Sequence, residues 1–325
     1  MKVVDLHCDT LSRLLRAERT GGPESLLRNH MHVDIEKLMR GDYLLQCFAV
    51  FVDTDEEPDA LAAAIGQLGL FYREMGRNRD RIAPVRTWAE LEANRRAGRI
   101  SAMLTAEEGA ICRGDPAILR ALYDLGVRIM TLTWNHENGL GYPNDPAANR
   151  PETERGLTVR GEEVVSEMER MGMLVDVSHL SDAGFWDVCR CAGKPFIASH
   201  SNARAVCGHV RNLTDDMLRA IADRGGLTGI NYCADFLDPG PDPAQHRGTV
   251  ALMAEHIAHI RDIGGIDMIA LGSDFDGIDL APEMYDCSRL PMLEWELRRR
   301  GFTDDEIEKI YSGNALRLLK EVLPP

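Results

Sequence analysis

The strongest constraint on this chain is an alternation: eight short runs rich in Val, Ile and Leu, apolar on both faces, are separated by amphipathic helical segments. The runs lie at about 3–7, 43–51, 100–105, 128–133, 173–178, 195–199, 226–231 and 268–273. A strand without a polar face has to be covered on both sides, as in a parallel sheet wrapped by helices. The intervening segments include DALAAAIGQLGLFYREMG, PAILRALYDLG with Pro116 near its start, VRGEEVVSEMERMG, TDDMLRAIADRG with Thr214 as cap, and VALMAEHIAHIRDIGG. Pro lacks the N–H that the first helical turn leaves unused, and a Thr hydroxyl accepts from that turn, so both mark helix starts. Eight βα units predict an α/β fold closed into a (β/α)8 TIM barrel. Two more helices, in LEWELRRRG and DDEIEKIYSGNALRLLKEVL, are expected to close it from outside. The connection at 18–42 is expected to hold a short helix, VDIEKLMRG, and 233–248 reads as a Pro-, Gly- and Asp-rich loop. With no repeat or linker in view, residues 1–325 are expected to form one domain.

Composition narrows the function classes. The chain has 325 residues, 44% hydrophobic and 27% charged, enough apolar surface for a sizeable core. Its net charge of -15, from 52 acidic and 37 basic residues, comes with no Lys/Arg patch, so nucleic acid is not an expected partner. The opening MKVVDLHCDT lacks a signal peptide's hydrophobic stretch, and no run approaches the ~18 apolar residues of a membrane span. A cytoplasmic protein that does not enter a membrane is the expectation. Eight cysteines without a CxxC pair read as reduced and mostly buried thiols.

Barrel enzymes carry their chemistry at the C-terminal ends of the strands. Here the first predicted strand ends in His7-Cys8-Asp9, the third leads into Glu107-Glu108-Gly109, the fifth and sixth end at His179 and His200, and the eighth ends at Asp274. Residues two apart on a strand share a face, so His7 and Asp9 can grip one cation while Cys8 points elsewhere. Imidazoles from adjacent strands suit zinc. Two dications in one site repel unless an anion lies between them, so a bridging carboxylate is required. Alternation lets only one of Glu107 and Glu108 face inward, and Glu108 is taken as the bridge. Asp274, in GSDFDGI, is placed to accept a water proton and return it to a leaving amine, with Asp276 second to it. A turn role suits Asp276 better, since Gly277 follows it.

The ordered series DLHCDT, EEG with LRALYDLGVRIMTLT, DVSH, SHSNARAVCGHVRN with DDML, GSDFDG and GNALRLL resembles the renal or membrane dipeptidases across nearly the whole chain. These are zinc peptidases built on a metal-dependent hydrolase barrel. The resemblance implies two zinc ions, with His7, Asp9 and Glu108 on one and Glu108, His179 and His200 on the other. It also implies Asp274 as general acid and base, Arg211 as the group holding the substrate's carboxylate, and Tyr232 as a substrate contact. A planar guanidinium suits a carboxylate through two parallel hydrogen bonds. One position departs from the family pattern: Trp134 stands where many members carry a His directly after TLT. His136 is the candidate substitute for contacting substrate, and Asn135 the other. The implied reaction is hydrolysis of a dipeptide by a metal-activated water, tolerant of a D-residue at the C-terminal position, with a homodimer suggested by analogy alone. Hydrolysis of another amide, lactam or ester is the first alternative, and a barrel that binds without catalysing the second.

Overall fold

The structure is a computed structural model that describes residues 1–22, 24–279 and 282–325. Its strands are β1 (Val3–Asp5), β2 (Tyr43–Phe51), β3 (Ile82–Pro84), β4 (Ile100–Glu107), β5 (Val127–Thr131), β6 (Leu174–Asp176), β7 (Ile197–Ala198), β8 (Leu227–Ile230) and β9 (Ile269–Leu271). Every pairing is parallel. β2 pairs with both β1 and β4, and β9 with β1 and β8, so eight of the nine strands close into a ring surrounded by helices. This is the expected (β/α)8 barrel.

The ninth strand was not expected. β3 lies along the first residues of β4, with Ile82 against Ile100, while β5 takes over the same edge from Leu104 onward. Its run, IAP, is three residues long and ends in Pro84, which has no N–H for a ladder, so the periodicity is too short to read. Several barrel strands are shorter than their apolar runs. Residues 177–179, for example, leave β6 because the backbone turns at His179, whose φ is +70°.

Two apolar layers hold the barrel together. One residue or more from each ring strand, including Val4, Leu45, Met103, Ile129, Leu174, Ile197, Leu227 and Ala270, forms a dry inner cluster. The helix Asn314–Val322 joins that cluster through Ala315, Leu318 and Leu319. The last helix was expected outside the barrel; it forms the floor instead, because its apolar stripe meets the inward-facing side chains. The larger cluster lies between strands and helices and contains Ala102, Leu104 and Ala106 of β4, the residues alternating with Met103. The 233–248 loop contains the short helix Ala234–Leu237 and a single 3-10 turn, Pro243–Gln245, and the 18–42 connection contains Ile35–Arg40. All eight cysteines are free. Among the described residues no helix is long and apolar enough to cross a membrane.

Near the top of the inner layer the backbones crowd. A Cβ on Gly229 or on Gly272 would run into the carbonyl oxygen of Ser199, a backbone atom that cannot swing aside. Gly272→Ala is therefore expected to destabilise the protein by about 3 kcal/mol through overpacking, measured by chemical denaturation.

Candidate metal centre

The mouth of the barrel is where the backbone is most strained. Among the described residues seven non-glycines have positive φ, and four of them, Glu108 at +133°, His179 at +70°, Asp274 at +63° and Asp276 at +69°, follow the ends of β4, β6 and β9. Each such residue costs about 1–3 kcal/mol and persists only where surrounding contacts over-determine it. Here they turn the chain so that side chains converge over the barrel axis.

At the centre of that convergence is Glu107. Its Oε2 lies 3.2 Å from His7 Nε2, and its Oε1 lies 2.9 Å from His179 Nε2 and 3.5 Å from His200 Nε2. Asp9 Oδ2 is 3.5 Å and Asp274 Oδ1 3.9 Å from His7 Nε2. Among the described residues two groups have the geometry to hold a cation, His7 with Glu107 and His200, and His7 with Asp9 and Asp274.

The choice of Glu108 is corrected. Glu107 is the last residue of β4 and shares the inward face with Met103 and Thr105. Glu108 faces the other way and caps the following turns. It accepts from the backbone N–H groups of Ala110 at 2.6 Å and Trp134 at 3.0 Å, and from Asn138 Nδ2. His7 and Asp9 do share the cluster, while Cys8 lies in the outer core and bridges to Phe275.

The imidazoles are prepared as ligands by their other nitrogens. Asn135 Oδ1 faces His179 Nδ1 at 2.7 Å, so Nδ1 donates and Nε2 keeps its lone pair. His200 Nδ1 lies 2.7 Å from Ser199 Oγ, which itself donates to Asp176 Oδ2 at 2.5 Å, so His200 Nε2 is likewise left bare. Burial, with Arg211 adding to it, lowers His179 to about 4; burial and then His7 push His200 well below its ordinary value. Both rings are therefore neutral near pH 7, with Nε2 atoms 3.0 Å apart. Two facing lone pairs beside a carboxylate form an acceptor-rich pocket, and buried His7 Nε2 and Asp9 Oδ1 have no hydrogen-bond partner among the described residues. Such a set fits divalent cations bound by nitrogen and carboxylate oxygen. Burial opposes ionisation of Glu107, but the neighbouring His7 outweighs it and holds the carboxyl well below the usual range.

The remaining predicted residues divide. Asp274 is in the cluster, with Asn231 Nδ2 donating to its Oδ2 at 2.9 Å. Asp276 is not: Thr10 Oγ1 and the His32 N–H each donate to it at 2.6 Å, a clasp between three segments. A Cβ on Gly277 would overlap the carboxylates of both Asp9 and Asp274, so this close approach requires glycine. Arg211 is buried behind His200, with His200 O and Ser201 Oγ each 3.4 Å away, and among the described residues no acid pairs with it. Tyr232 is not brought to the cleft. It is 1% exposed and packs edge-on against Phe275 in the outer core, because Asn231 takes the inward face of that segment. His136 is also drawn elsewhere, its Nε2 3.3 Å from Asp53 at the rim. Trp134 lines the cleft, its ring 5.0 Å from Phe51 and 6.2 Å from His179. That cleft holds about 710 Å³ above the cluster, ample for a small molecule. Asp176, Asn135 and Asn231, which orient the cluster, were not singled out for those tasks from the sequence. Each stands beside or within two or three residues of a strand-end feature, the one available signal.

The sequence profile of the membrane dipeptidase family, peptidase family M19, matches residues 1–323. The chain belongs to this family. It is 32% identical over 300 residues to the dipeptidase aclJ of Aspergillus oryzae, covering 89% of this chain and 70% of that protein. Its structure is similar to that of dipeptidase AC, a metallo peptidase of family M19, with a TM-score of 0.91, 27% identity, and coverage of 100% of this chain and 99% of the other. A metallo peptidase from Rhodobacter sphaeroides, liganded with a phosphinate mimic of the dipeptide L-Ala-D-Ala, gives a TM-score of 0.89 at 26% identity over 99% of both chains. As a membrane dipeptidase family member, the chain is a hydrolase of the metallopeptidase type.

Two outcomes are expected. Glu107→Gln should lose bound metal by well over the roughly 10–100-fold typical of outer-shell changes, whereas Glu108→Gln should retain it, as read by metal analysis after dialysis. Burial pushes Asp274 up to about 6, His7 opposing and Glu107 adding. A folded value above the unfolded one favours the protonated form, so the metal-free protein loses stability as pH rises through about 6. Asp274→Asn should then stabilise chelator-treated protein by about 1–3 kcal/mol at pH 8, with the gain shrinking below pH 6, while lowering activity at least ~10²-fold.

Proposed function

We propose that the protein is a zinc-dependent dipeptidase that cleaves the peptide bond of dipeptides and accepts a D-residue at the C-terminal position. The observation that carries this reading is Arg211, a buried cation without an acidic partner among the described residues, set directly behind the imidazole cluster. A guanidinium removed from water is costly unless an anion meets it, and a free substrate carboxylate is the anion whose planar fork it fits. The dipeptide mimic bound by the Rhodobacter sphaeroides relative supports both the substrate class and the stereochemistry.

Two zinc ions held by His7, Asp9, Glu107, His179 and His200 would supply a Lewis acid for the scissile carbonyl and lower the pKa of a water. The chain's own groups do the rest. Arg211 fixes the C-terminal carboxylate, which places the adjacent peptide bond over the cluster. Asn231 occupies Asp274 Oδ2, so the proton released as water attacks the carbonyl carbon is taken up at Oδ1. As the C–N bond breaks, the same oxygen returns that proton to the departing amine nitrogen. Trp134 and Phe51 form a dry wall over His179 that limits bulk water.

The test is a panel of L,L and L,D dipeptides and their C-terminal amides, assayed with and without chelator. Dipeptides should be hydrolysed, chelation should abolish the activity and zinc restore it. Amides should fall by roughly 30-fold or more in kcat/KM, the effect of removing one partner of a buried charge pair. Equal rates on acids and amides would move the reading to a general amidohydrolase.

A further inference from the structure

We propose that Arg204, locked by Asp182, is a positioning residue for Arg211 and thereby sets how well the site distinguishes a free carboxylate from its amide. The inference rests on the dipeptidase reading above.

Arg211 is loosely held by its own side chain. Its two side-chain hydrogen bonds are long, at 3.4 Å, and Nε is buried without a partner among the described residues. Apart from the Phe236 ring, whose centroid lies 5.5 Å from the guanidinium carbon, its placement comes from the backbone that carries it. The carbonyls on either side of Arg211 are both gripped by one guanidinium. Arg204 Nε donates to Asn212 O at 2.8 Å, and Arg204 Nη2 donates to Val210 O at 3.1 Å. The same guanidinium engages Asp182 through two bonds, Nη1 to Oδ2 at 2.6 Å and Nη2 to Oδ1 at 2.8 Å. Asp182 opens the helix Asp182–Cys191, so the anchor is a rigid element whose N-terminus favours an acid. Asn144 Nδ2 completes the clamp by donating to Asp182 Oδ1 at 2.9 Å and to Val210 O at 3.0 Å. The pair is largely withdrawn from solvent, with side-chain exposures of 18% and 14%, so water does not readily replace these bonds. Four donors in a fixed planar fork fill this position; a lysine would keep the charge and lose the fork. A displacement of about 1 Å at a substrate-positioning group is enough to cost ~10²-fold.

The experiment compares Arg204→Lys, Asp182→Asn and Arg211→Ala on L-Ala-D-Ala and its C-terminal amide, with kcat and KM measured separately and metal content and thermal melting recorded. Arg204→Lys is expected to raise KM for the dipeptide by ~10-fold or more, with kcat changed by less than about threefold and KM for the amide unmoved. The preference for acid over amide then falls ~10-fold. In the Arg211→Ala background Arg204→Lys should add nothing further to that preference. Asp182→Asn removes the anchoring charge with little change of shape and carries the test if Arg204→Lys fails to fold. Activity on acid and amide falling together, with preference intact, would mark the clamp as a fold element only and overturn the proposal. If Arg211→Ala itself leaves the preference intact, the carboxylate reading falls first, and this inference with it.

Discussion

Everything at the mouth of this barrel is arranged around one carboxylate pressed among three imidazoles. Glu107 sits within 3.5 Å of His7, His179 and His200, and the protonation pattern there follows from its charge and from burial. Burial keeps two of the rings neutral, and hydrogen bonds on their far sides turn their lone pairs inward. The result is a surplus of acceptors in a desolvated space, a state that a bare protein tolerates poorly and a divalent cation relieves. Strained turns at His179 and Asp274 and the missing Cβ at Gly277 are the backbone cost of bringing the groups so close.

The architecture was legible because a buried parallel strand leaves a simple signal: a short run with no polar face, repeated between helices. The positions of His7, Asp9, His179, His200 and Asp274 were legible for the same reason, since each follows such a run at the end where barrels carry their chemistry. What alternation does not contain is its own phase. On β4 both faces are buried, Met103 toward the inner cluster and Leu104 toward the helices, so nothing apolar distinguishes the face that leads to Glu107 from the one that leads to Glu108. A strand with one solvated face would have marked the phase.

Tyr232 and His136 stand apart from the cluster for a different reason. Their nomination came through likeness to a family rather than from strand geometry, and local packing decided where they went: Tyr232 into the outer core against Phe275, His136 to an acidic neighbour at the rim. The residues that took the tasks nearby, Asn231 holding Asp274 and Asn135 holding His179, are uncharged amides. Their importance lies in which atom they satisfy, and that is a property of the assembled mouth.

The helix Asn314–Val322 bears on how such a chain comes together in time. It supplies the floor beneath side chains contributed by every ring strand, and β1 cannot complete its edge until β9 is present beside it. Both ends of the polypeptide are thus needed for one cooperative event, which couples contacts separated by more than two hundred and fifty residues. By topology alone the ring cannot close over its apolar interior until the last helix has been made, so contacts of long sequence separation complete the core.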